Sequence, residues 1–252
     1  MTTIGNNIQG VLARIARACA ACGRDPSSVR LLAVSKTFNA DAVREAVQAG
    51  QRAFGENYLQ EGVQKIATLQ EVGAAATGPL EWHCIGPVQS NKTRLVAEHF
   101  DWIHTVDRLK TAERLSQQRP PHLPPLQVCI QVNVDGGPTK AGATPAQALE
   151  LARAVARLPR LRLRGLMGIP DPAPDFAAQY AVHAQARSLF DRLRAAGFEG
   201  LDAFDTLSLG MTGDLEAAIH AGSTLVRVGS GIFGGRTYAA PPAAAQEGLP
   251  SR

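Results

Sequence analysis

Two patterns of apolar positions alternate along this chain. Ile4, Ile8, Val11, Leu12, Ile15, Cys19 and Cys22 recur at the three- and four-residue spacing of one helical face, so the chain opens on an amphipathic helix. Downstream, short unbroken apolar runs occupy 30–35, 52–55, 81–85, 102–105, 126–132, 161–166, 206–209 and 224–228. Runs of that length without polar alternation belong to strands covered on both faces. Helical periodicity fills the intervals at 40–49, 57–72, 90–98, 109–118, 145–158, 175–196 and 215–221. Eight such strands in alternation with helices predict an α/β fold, a single closed (β/α)8 barrel of the TIM type over residues 1–238, with the first helix as an extra element.

Two stretches punctuate the pattern. The Pro-rich segment 119–125 suits neither helix nor central strand, and 135–140, Asp-Gly-Gly-Pro-Thr-Lys, is a turn-rich loop after the fifth strand. In a barrel that second loop borders the active face, which puts Lys140 either over the same mouth as Lys36 or simply in solvent. The Ala/Pro-rich stretch 239–252 reads as a disordered tail.

Composition narrows the function classes. A hydrophobic content of 45% supplies a full core, and the +4 net charge is spread among interspersed acids and bases, so no nucleic-acid partner is implied. The opening MTTIGNNIQG lacks the charged and apolar regions of a leader, and no apolar run approaches the ~20 residues of a membrane span, which makes the cytoplasm the expected location. Cys19 and Cys22 form a Cys-x-x-Cys, but both fall on or beside the apolar face of the first helix with no second Cys/His pair nearby, so they read as packed thiols. His83 and His104 end the third and fourth strands and could face the mouth; no ligand-spaced carboxylate or thiol accompanies them, so no metal site is assigned and packing or hydrogen bonding is their expected role.

The candidate chemistry lies at strand ends. Lys36 closes the first strand, where partial desolvation makes a lysine an amine nucleophile. The loops after strands seven and eight, where barrels commonly grip phosphate, hold Gly210-Met211-Thr212-Gly213 and Gly229-Ser230-Gly231. Arg227 lies within the last strand and can point inward, where a guanidinium needs an acceptor. A lysine, a phosphate cradle and a cation on one face suit a phosphorylated aldehyde held as a Schiff base. Two decoys fall away. The segment 86–93 departs from a Walker loop at Asn91 and Pro87, and reads as a strand-to-helix loop capped by Ser90 or Asn91. The G-x-G-x-x-G at 229–234 lacks the following strand and acidic residue of a dinucleotide site.

LLAVSKTF at 31–38, FGENYLQE at 54–61, WHCIGPVQSNK at 82–92, LRGLMGIP at 163–170, LSLGMTGDLEAAI at 207–219 and STLVRVGSGIFG at 223–234 together resemble the pyridoxal phosphate homeostasis family, barrels similar to the N-terminal domain of bacterial alanine racemase. The resemblance runs from Ile8 to Tyr238. It implies that pyridoxal 5'-phosphate is the cofactor and forms the Schiff base with Lys36. It also implies that Arg227 approaches the pyridine nitrogen, that Asn57 lies near the ring, and that Thr212, Ser230 and the backbone around Met211, Gly229 and Gly231 hold the phosphate. Thr212 and Ser230 replace a more usual Ser and Thr but keep a hydroxyl, while Cys84 stands where an aromatic is common.

Three functions share this chemistry: a non-catalytic carrier that buffers or delivers the cofactor to dependent apoenzymes, an amino acid racemase, and a lysine-dependent aldolase without cofactor. A racemase needs an acid/base on each face of its substrate, the second in alanine racemase being a tyrosine from another domain. None of Tyr58, Tyr180 and Tyr238 has an evident route to that face, and Arg227 donates to a ring nitrogen without protonating it, so the carrier is the favoured reading and no catalytic residue is assigned.

Overall fold

The structure, a computed structural model, describes residues 2–75, 79–137 and 141–235. Lys140, Tyr238 and the 239–252 stretch lie outside the described residues. Eight parallel strands close into a barrel in sequence order: β1 Arg30–Val34, β2 Ala53–Glu56, β3 Glu81–Cys84, β4 Trp102–Val106, β5 Leu126–Gln131, β6 Leu161–Met167, β7 Thr206–Ser208 and β8 Leu225–Val228. β8 returns to β1 in a register that sets Leu32 beside Arg227. The helices are α1 Thr3–Ala21, α2 Ala40–Gln48, α3 Leu59–Ala75, α4 Thr93–His99, α5 Leu109–Gln118, α6 Pro145–Ala156, α7 Phe176–Ala195, α8 Leu215–His220 and α9 Ser230–Phe233.

The N-terminal helix is present, and its position gives it a structural task. Among the described residues the segment after β8 makes the single turn α9, too short to cover the seam between β8 and β1. α1 takes that place, packing on α8, α9 and α2 through Ile8, Val11, Ile15 and Cys19, all buried. Leu12, placed on that face by its spacing, is 41% exposed, because the buried stripe is narrower than the sequence periodicity suggests. Thr2 caps the helix by accepting from the Gly5 N–H, and Cys22 ends it as a free, half-buried thiol. The expected Ser90 or Asn91 cap of α4 does not form: Lys92 occupies the cap position without a side-chain bond, and the Ser90 carbonyl instead accepts from Thr93 and Arg114.

Most of the core lies between barrel and helices, built from residues such as Phe54, Ile103, Leu115, Val128, Leu166 and Val226. Inside the barrel the apolar side chains split into two separate groups, Leu32, Val34, Ala53, Ile85 and Leu225 in one and Trp102, Cys129 and Met167 in the other. The barrel interior also buries polar His83, His104, Ser208 and Arg227.

Candidate functional site

The C-terminal strand ends surround a cavity of about 410 Å³ lined by Val34, Lys36, Phe38, Asn57, Ile85, Ile169, Met211, Thr212, Gly213, Arg227, Gly229, Ser230 and Gly234. Seven of the eight sequence-predicted site residues are therefore brought together: Lys36, Asn57, Met211, Thr212, Arg227, Gly229 and Ser230. Gly231 is not in the wall but packs behind it; a Cβ there would meet Val228 at 3.0 Å and Thr212 at 3.2 Å. The apolar lining, which includes Phe38, Ile85 and Ile169, carries no chemical signature in sequence.

Lys36 follows directly on β1 in a tight turn. Its neighbour Thr37 has φ 70°, a left-handed conformation that costs a residue with a Cβ on the order of 1 kcal/mol. The turn is held from below. The Thr37 N–H donates to Glu61 at 2.6 Å, and the buried Lys65 ammonium donates to the Ser35 carbonyl at 2.7 Å, to Glu56 at 2.8 Å and to Glu61 at 2.6 Å. The Ser35 hydroxyl donates to the same Glu56 oxygen at 2.6 Å. Burial pushes the Glu56 carboxyl above the usual carboxylate range in spite of Lys65 and Ser35. The FGENYLQE segment thus supplies both the clamp on Lys36 and the cavity residue Asn57. Gly86 lets the β3 loop close on that segment, since a Cβ would stand 2.2 Å from the Asn57 carbonyl oxygen.

Two loops converge on the opposite side. The Ser230 and Thr212 hydroxyls lie 3.3 Å apart, and the Ile232 and Phe233 N–H groups of α9 turn back onto the Gly229 carbonyl, each at 2.9 Å. The loop after β7 is tied by Asp214, which accepts from the Met211 N–H at 2.6 Å and from His183 of α7 at 2.9 Å. Burial alone would raise the Asp214 carboxyl, but these donors outweigh it and hold it below its ordinary value. α1 reaches the same loop: Arg14 pairs with Glu216 at 2.8 Å and donates to the Thr212 carbonyl at 3.0 Å. Gly210 opens the loop at φ 88°, and a Cβ there would strike Ala218 at 2.5 Å.

Arg227 points inward as expected, and its partners are neutral. The guanidinium donates to the Ser208 carbonyl and hydroxyl, each at 2.7 Å, and to the Gly168 carbonyl at 2.8 Å. No salt bridge of Arg227 spans the interior among the described residues. Burial brings its pKa down to about 10, which leaves it a cation at neutral pH. His83 and His104 do not face the mouth; they are fully buried below it and bonded to each other at 2.8 Å. Their inward pointing follows from strand register, and the packing or hydrogen-bonding role expected from sequence is what the structure shows. The described residues contain no cluster of potential metal ligands. Cys84 and Cys129 are buried free thiols, each pushed up to about 12 by burial, which makes them inert.

The barrel with a lysine, an arginine and two hydroxyl-bearing loops at one mouth defines a class, and the alanine racemase N-terminal domain family matches residues 9–237. The pyridoxal phosphate homeostasis protein of Pseudomonas aeruginosa is 56% identical over 241 residues, covering 96% of this chain and 99% of its own; that of Escherichia coli K12 is 55% identical over 242 residues, covering 94% and 99%. The chain belongs to the family of pyridoxal phosphate homeostasis proteins. PipY of Synechococcus elongatus, solved with PLP bound, is 38% identical with a TM-score of 0.74, over 87% of this chain and all of that one. Alanine racemase of Corynebacterium glutamicum shares the fold at a TM-score of 0.64 and 18% identity, with 97% of this chain matched to 63% of that one.

Proposed function

We propose that this protein binds pyridoxal 5'-phosphate in the strand-end cavity, through a Schiff base to Lys36, and serves cytoplasmic cofactor homeostasis by buffering the cofactor or delivering it to apoenzymes. The observation that carries this reading is the convergence of Lys36, Asn57, Thr212, Arg227 and Ser230 on one cavity of about 410 Å³, within the size range of small-molecule sites. The fit is chemical as well as spatial. Asn57 Oδ1 is buried without a hydrogen-bond partner although its residue lines the cavity, so its amide is available to a polar ring substituent. The Thr212 and Ser230 hydroxyls, with the Ser230 and Gly231 backbone amides, suit a phosphate, and Arg227 offers a cationic donor to a ring nitrogen.

The cofactor itself supplies an aldehyde that condenses with a primary amine and a ring that withdraws electrons. The protein's part is to place and hold. The Lys65–Glu56–Glu61 clamp fixes the backbone on both sides of Lys36, so the amine is presented from a rigid strand end. Arg14 and Asp214 hold the phosphate loop in its turn. Arg227 would offer the ring nitrogen a donor that does not give up its proton, which would leave the ring a weaker electron sink than an acidic partner would make it.

A non-catalytic role is supported by the cavity's lining. Among its described residues the ionisable side chains are Lys36 and Arg227, so the described lining supplies no second acid/base to move a proton on the other face of a bound amino acid. Tyr58 and Tyr180 are 54% and 43% exposed and do not line the cavity. Borohydride reduction of protein loaded with pyridoxal 5'-phosphate, followed by peptide mapping, should place the label on Lys36, and Lys36→Ala should lose the visible absorbance band while keeping the fold. A label distributed over other lysines would overturn the assignment. Incubation with L- and D-alanine and other amino acids in deuterated water should give no inversion at enzyme-like rates of ~1–10³ s⁻¹; turnover in that range would make the protein a racemase.

A further inference from the structure

Below the cavity, an unbroken line of polar groups crosses the barrel interior. Arg30 of β1 donates to Glu81 of β3 at 2.6 Å, and Glu81 lies 2.7 Å from His83 Nε2. His83 Nδ1 meets His104 Nε2 at 2.8 Å, His104 Nδ1 meets the Ser208 hydroxyl at 3.1 Å, and that hydroxyl accepts from Arg227 at 2.7 Å. Glu81 borders a second cavity, of about 550 Å³, at the N-terminal strand ends, so the line runs from one mouth of the barrel to the other.

We propose that Glu81, His83, His104 and Ser208 are positioning residues for the cofactor site, forming one oriented hydrogen-bond chain that fixes Arg227 and couples its donor geometry to the opposite mouth. The inference rests on the reading that Arg227 meets the ring of bound pyridoxal 5'-phosphate. The direction of the chain follows from donor and acceptor capacities once both imidazoles are neutral. An ionised carboxylate only accepts, so His83 must carry its proton on Nε2. Held neutral, His83 then accepts at Nδ1, which requires the proton of His104 on Nε2. His104 Nδ1 accepts in turn from the Ser208 hydroxyl, whose remaining lone pairs face Arg227. Every proton points toward Glu81.

The charge environment holds this state. Around the histidines stand Arg30 on β1, Glu81 on β3, Arg164 on β6 and Arg227 on β8; Arg164 is itself paired with Asp205 at 2.7 Å, and Glu81 is the carboxylate bonded to an imidazole of the chain. Burial first keeps both imidazoles below their ordinary pKa, His104 well below; Arg30 and Arg164 add to this at His83, and His83, Arg227 and Arg30 at His104. Burial would raise Glu81, but His83 and Arg30 outweigh it and bring it to about 2. His83 is also stacked on Trp102 with ring centroids 5.0 Å apart and 12° between planes, and Arg164 lies 4.6 Å over the Trp102 ring, which fixes the first imidazole in place.

The consequence falls on Arg227. Of its five N–H donors, three are taken by the Ser208 carbonyl and hydroxyl and the Gly168 carbonyl. The chain locks Ser208 as an acceptor toward the guanidinium, so the donors left over hold one orientation toward the cavity. Break the chain and the Ser208 hydroxyl is free to turn.

Nitrogen-15 NMR of the cofactor-free protein tests the chain directly: both imidazoles should be neutral Nε2–H tautomers at neutral pH. Glu81→Gln keeps an acceptor but removes the charge, and should shift the His104 ring nitrogens and the visible band of bound cofactor, with binding weakened at least about threefold. Ser208→Ala should weaken cofactor binding about tenfold, or 1.4 kcal/mol. An Nδ1–H tautomer or an imidazolium in the wild type overturns the chain, and wild-type tautomers can be read even where a variant fails to fold. Correct tautomers with binding and spectrum unchanged in both folded variants overturn the coupling. Failure of the underlying reading is separate, because it appears as a wild type that takes no borohydride-trapped label on Lys36.

Discussion

Lys65→Met should damage both the fold and the site, because the ammonium it removes is buried and satisfies three acceptors at once. Lys65 is 5% exposed and binds Glu56, Glu61 and the Ser35 carbonyl. Methionine fills similar volume, so the loss is mainly electrostatic. Glu56 is fully buried, and one of its oxygens already has no hydrogen-bond partner. Breaking a buried pair by removing one member costs about 3–5 kcal/mol, a large part of a typical stability of roughly 5–15 kcal/mol. For a chain of this size each kcal/mol lowers Tm by about 2–4 °C, so a fall of roughly 6–20 °C is expected. Thermal and urea melts followed by circular dichroism measure it. Adding Glu56→Gln to the variant should recover a good part of the loss, since no unpaired carboxylate then remains. Cofactor retention should stay weakened in the double variant, because the Ser35 carbonyl is still released next to Lys36. A single variant within about 1 kcal/mol of wild type, or a double variant worse than the single one, would refute the clamp.

Thr212→Ala and Ser230→Ala should each weaken cofactor retention by a modest factor, since a hydrogen bond to a charged group is worth roughly 1.5–3 kcal/mol and backbone amides remain; pyridoxal without phosphate binding as tightly as pyridoxal 5'-phosphate in equilibrium titrations would sink the cradle. Arg14→Ala should loosen the same loop from outside the cavity, weakening phosphate-dependent binding while leaving the Lys36 label accessible to borohydride, and equal affinities would detach α1 from the site. Acid should unfold the protein in two stages read by denaturant midpoints. His83 and His104 have folded pKa values below the ordinary 6.5, so the unfolded chain binds their protons first and stability falls as pH drops below that value; Glu81, at about 2 against an ordinary 4.5, adds a second loss below pH 4.5. Glu56, raised by burial, acts in the opposite sense over the carboxylate range, and a stability that stays flat from neutral pH down to 4.5 would contradict the neutral histidines.

The features that sequence made legible are those carried by single strand ends. Lys36, Arg227 and the Thr212 and Ser230 loops each sit at the end of an apolar run, and barrel geometry gathers strand ends at one mouth whatever the exact register. The clamp and the chain below them depend on relations that no local pattern encodes. Lys65 falls in a helical stretch where a lysine reads as a solvated charge, and only the packing of α3 against the β1 turn buries it. His83 and His104 meet because β3 and β4 pair with His83 beside Trp102, which leaves His104 one inward position further along. That offset is a property of the barrel's shear, and a sequence that names eight strands does not state it.

The short α9 joins these levels. A full-length helix after β8 would cover the seam toward β1 as the other outer helices cover theirs. Among the described residues the chain makes one turn from Ser230 to Phe233, which sets the Ser230 hydroxyl beside that of Thr212 and stacks Phe233 on Phe38 of the cavity wall at 5.1 Å. The uncovered seam is then filled by α1, and Arg14 on that helix grips the Thr212 carbonyl while Asn7 donates to the Ile232 carbonyl at 2.8 Å. The same N-terminal segment that closes the barrel wall therefore fastens the loops after β7 and β8 at the cavity, so a truncation that removes α1 should cost cofactor affinity and core integrity together.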